Sequence, residues 1–414
     1  MNKKEIINQF SWNSLDIFAR LGINFFVYFY FLNLLGADKY ATFVFITLIC
    51  GVAQSLSKLG QNDFLIIADD ISSKVLSSVF VINLIIGITV TLLLSIIFLL
   101  VFYFQDRDIV FLIAALIMAF SVTIAVCTHS FLSLLQKKQK FKKLFFLNIT
   151  SSISGLLVTY AFSGLIIIDL YPVIVVISTQ IFLLISLFIS SPFKFNVSLK
   201  ILKSFYLESK YFIIPLTKTR PILSITKYID SFMALLIGGD MLLLAYNTIK
   251  KLFIYPLTIL YGILDRWFYP FLANTRDNKK LKKLYKRISF NIFLISIIAV
   301  VLASIIISFF GNILYEYLYG VGISNINLIL LITGFVISWP LSILPTLIYT
   351  YAKVMSLTKK LPRLSLLQLI SLTICMLSFG IFLDKDWITF GYLVAYIIMN
   401  IYIITIFKLN GSFR

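Results

Sequence analysis

Histidine occurs once in the 414 residues, cysteine three times and proline nine times, and each scarcity removes a class of chemistry. Cys50, Cys127 and Cys375 lie in separate apolar runs without C-x-x-C spacing, so neither a dithiol pair nor a zinc ligand set is present. His129, alone in an apolar run, reads as a packed, hydrogen-bonded residue rather than a proton relay. No metal site, cofactor or catalytic residue is expected. A Gly-rich phosphate cradle of the P-loop kind is absent, which removes ATP as a direct energy source. Two D-x-D triplets, 106–108 and 384–386, have the spacing of a metal and sugar-nucleotide site. Each sits in a short connection between apolar runs, where aspartate is ordinary turn chemistry. Charge itself is scarce, at 13% of residues, and acidic side chains number 17 against 36 basic ones.

What remains is apolar. Hydrophobic residues make up 60% of the chain and the mean hydropathy is +1.00, outside the range of soluble domains, where roughly half of the residues are apolar. Runs of about 20 residues, the length a helix needs to cross the hydrocarbon, recur throughout. Twelve spans are expected: 11–34, 40–58, 75–104, 108–135, 144–168, 170–191, 208–237, 240–272, 287–315, 324–352, 362–383 and 387–408. Segments such as "VINLIIGITVTLLLSIIFLLVFYF" are apolar on every face, which excludes barrel strands of about 10 alternating residues. The first run is too long for a signal peptide and carries Asp16 and Arg20. The chain reads as an all-α polytopic membrane protein.

A net charge of +19 would suit nucleic acid if it were clustered for that purpose. Instead, 25 basic residues fall in the tails and the even-numbered connections, including "KKQKFKK" at 137–143 and "RDNKKLKKLYKR" at 276–287. The odd-numbered connections hold only Lys39, Arg107 and Lys385. This is the positive-inside bias. It predicts both termini in the cytoplasm and leaves no need for a nucleic-acid partner.

Eight basic residues remain at membrane depth: Arg20, Lys58, Lys218, Arg220, Lys227, Lys250, Lys251 and Arg266. A charge at a helix centre costs about 2.5–3.5 kcal/mol on insertion scales, so such residues face a cavity or a partner. Lys58 and Arg266 lie near helix ends and can snorkel. Arg20, Lys218, Arg220, Lys227, Lys250 and Lys251 are the candidate substrate-binding residues. Arg220 and Lys227 share a helix face, with Asp230 three residues on; Asp16 and Arg20 form a second i, i+4 pair. Asp16 and Asp230 are the candidate ion-pair or coupling residues, holding Arg20 and Lys227. Pro215 and Pro221 are expected to interrupt the seventh helix. The surplus charge is positive, so the cavity expects an anionic guest.

The chain also repeats. Six runs precede the linker and six follow it, dividing the sequence into an N-terminal lobe (1–193), a cytoplasmic linker (194–207) and a C-terminal lobe (208–414). "LLGADKYATFVFI" from Leu34 matches "LIGGDMLLLAYNTI" from Leu236, pairing Gly36 with Gly238 and Asp38 with Asp240. An even number of helices per lobe keeps both lobes in one orientation, related by a pseudo-two-fold axis along the membrane normal.

These phrases, with "KLGQNDFLI", "YIDSFMALLIGGDMLLLAYNTIKKL" and "RWFYPFLANTRDNKKLKKLYKR", resemble the polysaccharide flippases. These are the Wzx-type O-antigen transporters of the multidrug/oligosaccharidyl-lipid/polysaccharide exporter superfamily. The turns depart from the usual L-G-P pattern, with Ala37 and Gly239 where proline is common. The resemblance implies a bacterial inner-membrane protein that moves undecaprenyl-diphosphate-linked O-antigen or related repeat units from the cytoplasmic to the periplasmic leaflet by alternating access through a cationic cavity. Its implied partners are that lipid-linked oligosaccharide, the surrounding lipids, and the polymerase and chain-length proteins of the same pathway. Two alternatives differ in sign or shape. An O-antigen polymerase needs a large external loop that this chain lacks, and a cation-coupled drug exporter wants an acidic cavity.

Overall fold

The structure, a computed structural model, describes residues 3–58, 60–67, 72–105, 108–191, 199–263, 287, 290–298, 300–302, 304–305, 316–317, 327–354 and 361–409. Helix accounts for nearly all of them, and no strand occurs among them. The helices are α1 (Lys3–Leu35), α2 (Ala37–Leu56), α3 (Gln61–Ile67), α4 (Ser73–Gln105), α5 (Ile109–Lys137), α6 (Phe141–Ala161), α7 (Tyr171–Ser190), α8 (Leu199–Ile263), α9 (Leu328–Val354), α10 (Leu361–Phe382) and α11 (Ile388–Leu409). Ten helices among the described residues are long and apolar enough to cross a membrane. That count takes Pro221–Leu252 as one span although the backbone breaks inside it, at Gly239. Separating its halves and adding the shorter apolar helix Phe290–Leu302 accounts for the twelve expected.

The solvent for these helices is hydrocarbon, as α4 makes plain. Ile85, Ile88, Leu92, Leu93, Ile96, Ile97, Leu99 and Leu100 are all exposed along it. A soluble monomer does not carry so large an apolar surface. Its neighbour α5 is as apolar but largely buried, the central helix of its group. Hydroxyl side chains satisfy themselves within their own helices, as lipid requires: Thr89 donates to Ile85 O at 2.9 Å and Ser95 to Thr91 O at 2.9 Å. Between helices, Thr91 Oγ1 donates to Ala119 O at 2.8 Å and so accepts from Thr123 Oγ1 at 2.7 Å, tying α4 to α5.

Two compact units divide the chain: Met1–Leu35 with Thr42–Pro221, and Gly36–Ala41 with Ile222–Arg414. In the first, α1 packs on α6, α6 on α7, α7 on α5 and α5 on α4. The short α3, not expected from the sequence, is held by amides: Gln61 Nε2 donates to Asn83 Oδ1 at 2.6 Å, and Asn83 Nδ2 donates to Asn62 Oδ1 at 3.2 Å and Ser130 Oγ at 2.7 Å. In the second, α11 packs on α9 and α10 around Ile348, Leu364, Met399 and Ile403.

α8 departs most from expectation. The linker expected at 194–207 is helical from Leu199 onward, and the helix runs through Pro215 and Pro221 without the expected interruption. Proline deletes one backbone bond but keeps a helical φ, and in a membrane helix that single loss is tolerated. The break falls at Gly239, φ 67° and ψ −162°, a conformation open essentially to glycine, inside the gap expected between the spans 208–237 and 240–272. Gly36, between α1 and α2, has φ 76°. Both breaks thus fall at a glycine with positive φ, Gly36 and Gly239, the second lying one residue after the Gly238 that the sequence match pairs with Gly36. Asp38 falls in the first turn of α2 and Asp240 directly follows the second break, where a carboxylate complements the positive end of a helix.

Candidate functional site

In the first unit, α1 and α6 run parallel, since successive contacts climb both helices together. Trp12 meets Phe145 at 5.4 Å and Phe146 at 6.0 Å between ring centroids. One turn deeper, Asn148 Nδ2 donates to Asp16 Oδ1 at 2.6 Å. Near the other end, Phe26 and Tyr30 face Tyr160 and Tyr171 across a small cavity of about 200 Å³. From Trp12 to Tyr30 is about 27 Å at 1.5 Å per residue, close to the thickness of the hydrocarbon.

Asp16 is the charged centre of this seam. It is buried, with its side chain 2% exposed, and its Oδ2 lies 3.3 Å from Arg20 Nη2. The guanidinium is about one third exposed, so the carboxylate is shut in while its counter-ion reaches outward. Arg20 Nε and both polar atoms of the fully buried Asn13 are without a hydrogen-bond partner among the described residues. Asn13 lies one turn before Asp16, on the same face of α1.

The second unit holds the other buried carboxylate. Asp230, 3% exposed, receives Lys250 Nζ on Oδ2 at 2.5 Å. It also accepts the Tyr246 hydroxyl on Oδ2 at 3.1 Å and the Ser231 N–H on Oδ1 at 2.8 Å. Residues 20 apart on a straight helix would be about 30 Å distant, so the break at Gly239 folds the second half of α8 back along the first and creates the site. Lys250 also sits 5.9 Å from the Tyr246 ring. Behind Tyr246 an aromatic column continues through Phe335 at 4.8 Å, Tyr392 at 5.9 Å from Phe335, and Tyr396 at 4.7 Å from Tyr392. The Tyr392 and Tyr396 hydroxyls are 3.2 Å apart, and Gln368 Nε2 donates to Tyr396 at 3.4 Å.

The expected pairs are thus half right. Asp16 holds Arg20, but Asp230 holds Lys250, not Lys227. Lys227 is exposed, 5.2 Å from the neighbouring Tyr228 ring, and has no carboxylate partner among the described residues. The i, i+3 spacing allows the pair. The folded-back segment supplies a closer ammonium, with Tyr246 closing the same carboxylate, and that geometry wins. Lys251 is half-buried. Lys218 and Arg220 lie in helical backbone, but their side chains, like all of Arg266, fall outside the described residues, so the expected Arg220–Lys227 stripe has only its second member on view. Trp12 packs against Phe145 and Phe146 and stays half-buried. Sequence reasoning passed over Asn148, Asn13 and Tyr246 because only formal charges were counted. A lone amide in "LFFLNITSSIS" was the available signal, since amides are nearly as rare as charges in lipid-embedded helices.

A family model described as "Polysaccharide biosynthesis protein" matches residues 33–321, well over half the chain. The chain belongs to the polysaccharide biosynthesis protein family. Among solved structures, this family member is similar to a multidrug resistance MATE family transporter of the MOP superfamily. In its inward-facing conformation the identity is 14%, 98% of this chain and 94% of that one are covered, and the TM-score is 0.69. In the outward-facing conformation the identity is 15%, with 100% and 96% covered and a TM-score of 0.69. A MATE structure in complex with MaL6 matches at 14% identity, with 100% and 97% covered and a TM-score of 0.70. At such identities the likeness is one of fold: the family member shares the helical fold of that MATE transporter over nearly its whole length. No curated protein matches it in sequence.

Proposed function

We propose that the chain is a flippase that carries an undecaprenyl-diphosphate-linked O-antigen unit, or a related oligosaccharide repeat, from the cytoplasmic to the periplasmic leaflet of the bacterial inner membrane. Both termini lie in the cytoplasm. The observation that carries this reading is the coincidence of a polysaccharide-biosynthesis family with a transporter fold over the whole length. Of the steps in making a surface polysaccharide, moving the lipid-linked intermediate across the bilayer is the one that needs a transporter.

The charge arrangement supports an anionic cargo over a cationic drug. Asp16 and Asp230 are both neutralised internally, by Arg20 and Lys250, so neither presents a bare carboxylate to a cation. Within each unit by itself, an anionic cargo competes with the carboxylate for its basic partner, Arg20 in the first and Lys250 in the second, and that basic group replaces water the cargo has lost. While the cargo holds the basic groups the released carboxylates take up protons; once it leaves, Asp16 and Asp230 give those protons up and recapture Arg20 and Lys250, which resets the cycle. Lys218, Arg220, Lys227 and Lys251 are the further basic residues proposed to meet an anionic cargo.

Deleting the protein should abolish surface polysaccharide and leave completed lipid-linked repeats facing the cytoplasm, with their synthesis intact. Leaflet-specific labelling of the accumulated lipid reads this directly. Loss of sugar transfer or of chain extension in the deletion strain would overturn the flippase reading in favour of a biosynthetic enzyme.

A further inference from the structure

At the start of the α1–α6 seam a cleft of about 500 Å³ opens between the first turns of the two helices, inside the roughly 300–1,000 Å³ range of small-molecule sites. Asn8, Gln9 and Trp12 line one wall and the α5–α6 turn from Lys138 to Lys143 the other; among the described residues no acidic side chain lines it. The lysines are placed differently from one another. Lys143 is committed, its Nζ donating to the Ser190 carbonyl at 2.8 Å and closing the end of α7. Lys142 reaches across to Trp12, with Nζ 5.5 Å from the ring centroid. Lys138 and Lys140 are exposed on the rim. Gln139 holds the turn between them with φ 50°, and Lys140 N–H closes it onto Leu135 O at 2.9 Å.

α6 begins in this cleft without a side-chain cap at Lys140, which leaves its first-turn N–H groups without an intrahelical acceptor. The α6 N-terminus and the rim lysines therefore border one space, the combination that recognises phosphate. Depth supplies the second half of the argument. Trp12 marks one end of a seam as long as the hydrocarbon is thick, so the cleft sits at headgroup level, and the loop-charge bias puts that level on the cytoplasmic side. We propose that this cleft binds the phosphate of a lipid headgroup in the cytoplasmic leaflet. The proposal stands on the membrane assignment; only its polyprenyl-carrier source rests on the cargo proposed above. The phosphate has two sources: a bulk anionic phospholipid, or the diphosphate of a polyprenyl carrier held before transport.

Trp12 is the reporter. In protein with Trp267→Phe, Trp339→Phe and Trp387→Phe, Trp12 emission is followed in neutral phosphatidylcholine nanodiscs containing increasing phosphatidylglycerol, then in neutral discs containing undecaprenyl diphosphate, and last with soluble inorganic diphosphate. A saturable change with a lipid phosphate is expected, about thirtyfold weaker in Lys138→Gln/Lys140→Gln. A response to phosphatidylglycerol identifies a bulk-lipid site; a response to undecaprenyl diphosphate alone identifies a carrier-docking site. Silence toward both lipids, a response to inorganic diphosphate only, or a response unchanged by removing the lysines overturns the proposal. Should the double variant not fold, Lys142→Gln, which leaves the turn intact, gives the same discrimination. Because the readout is binding, its failure leaves the export reading untouched.

Discussion

Lys250→Met tests the geometry of the second unit most sharply. The substitution removes the ammonium 2.5 Å from Asp230 and leaves a carboxylate 3% exposed. The Tyr246 hydroxyl and the Ser231 N–H are then its remaining donors. Stranding a buried charge costs about 3–5 kcal/mol; with two hydrogen bonds surviving, the expected loss is at the low end, about 3 kcal/mol. Asp230→Asn is milder. It keeps an acceptor for Tyr246, and Lys250, 23% exposed, can swing its ammonium toward water, so about 1–2 kcal/mol is expected. In the double variant both charges are gone and the loss should be near that of Asp230→Asn alone, a coupling of about 3 kcal/mol. Apparent unfolding free energies from SDS titration in mixed micelles, read by fluorescence, measure all three. Additivity of the two single changes to within about 0.5 kcal/mol would refute the pair. So would a loss in Lys227→Met as large as that in Lys250→Met, because an exposed lysine with no carboxylate partner should cost under about 0.5 kcal/mol.

In the first unit, Arg20→Ala leaves Asp16 with Asn148 as its principal hydrogen-bond donor and should lower membrane abundance. Adding Asp16→Asn should restore abundance but not export, measured side by side by immunoblot and surface polysaccharide; recovery of both would make the pair scaffolding alone. Gly239→Ala places a Cβ on a backbone at φ 67° and should cost about 1–3 kcal/mol by the same SDS titration. Gly22→Ala, whose Cβ meets nothing within 4 Å, serves as the control and should be neutral or slightly stabilising. For topology, a cysteine at Lys140 in a background without Cys50, Cys127 and Cys375 should resist an impermeant maleimide in intact spheroplasts, while one at Lys385 should react; the reverse pattern would invert the orientation read from loop charge.

Much of this protein was legible in one dimension. Apolar run length and the bias of lysine and arginine between alternate connections depend on composition along the chain, and so the helical class, the number of spans and the rank of Asp16, Arg20 and Asp230 as charges demanding partners follow without coordinates. Helical spacing also found the Asp16–Arg20 pair, because both members lie on one uninterrupted helix. Spacing failed at Asp230 for the complementary reason. The direction of a side chain around its helix says which neighbours are possible, and a break elsewhere decides which one arrives. The break itself was legible, since Gly238 and Gly239 fall between the expected spans 208–237 and 240–272; only the tertiary structure folded the second half of α8 back along the first and so delivered Lys250 and Tyr246 to a carboxylate 20 and 16 positions back. Only it brought Asn148 to Asp16 across 132 residues and set the α5–α6 lysines against Trp12. These contacts link distant positions on the chain, and packing between helices, not periodicity within one, determines them.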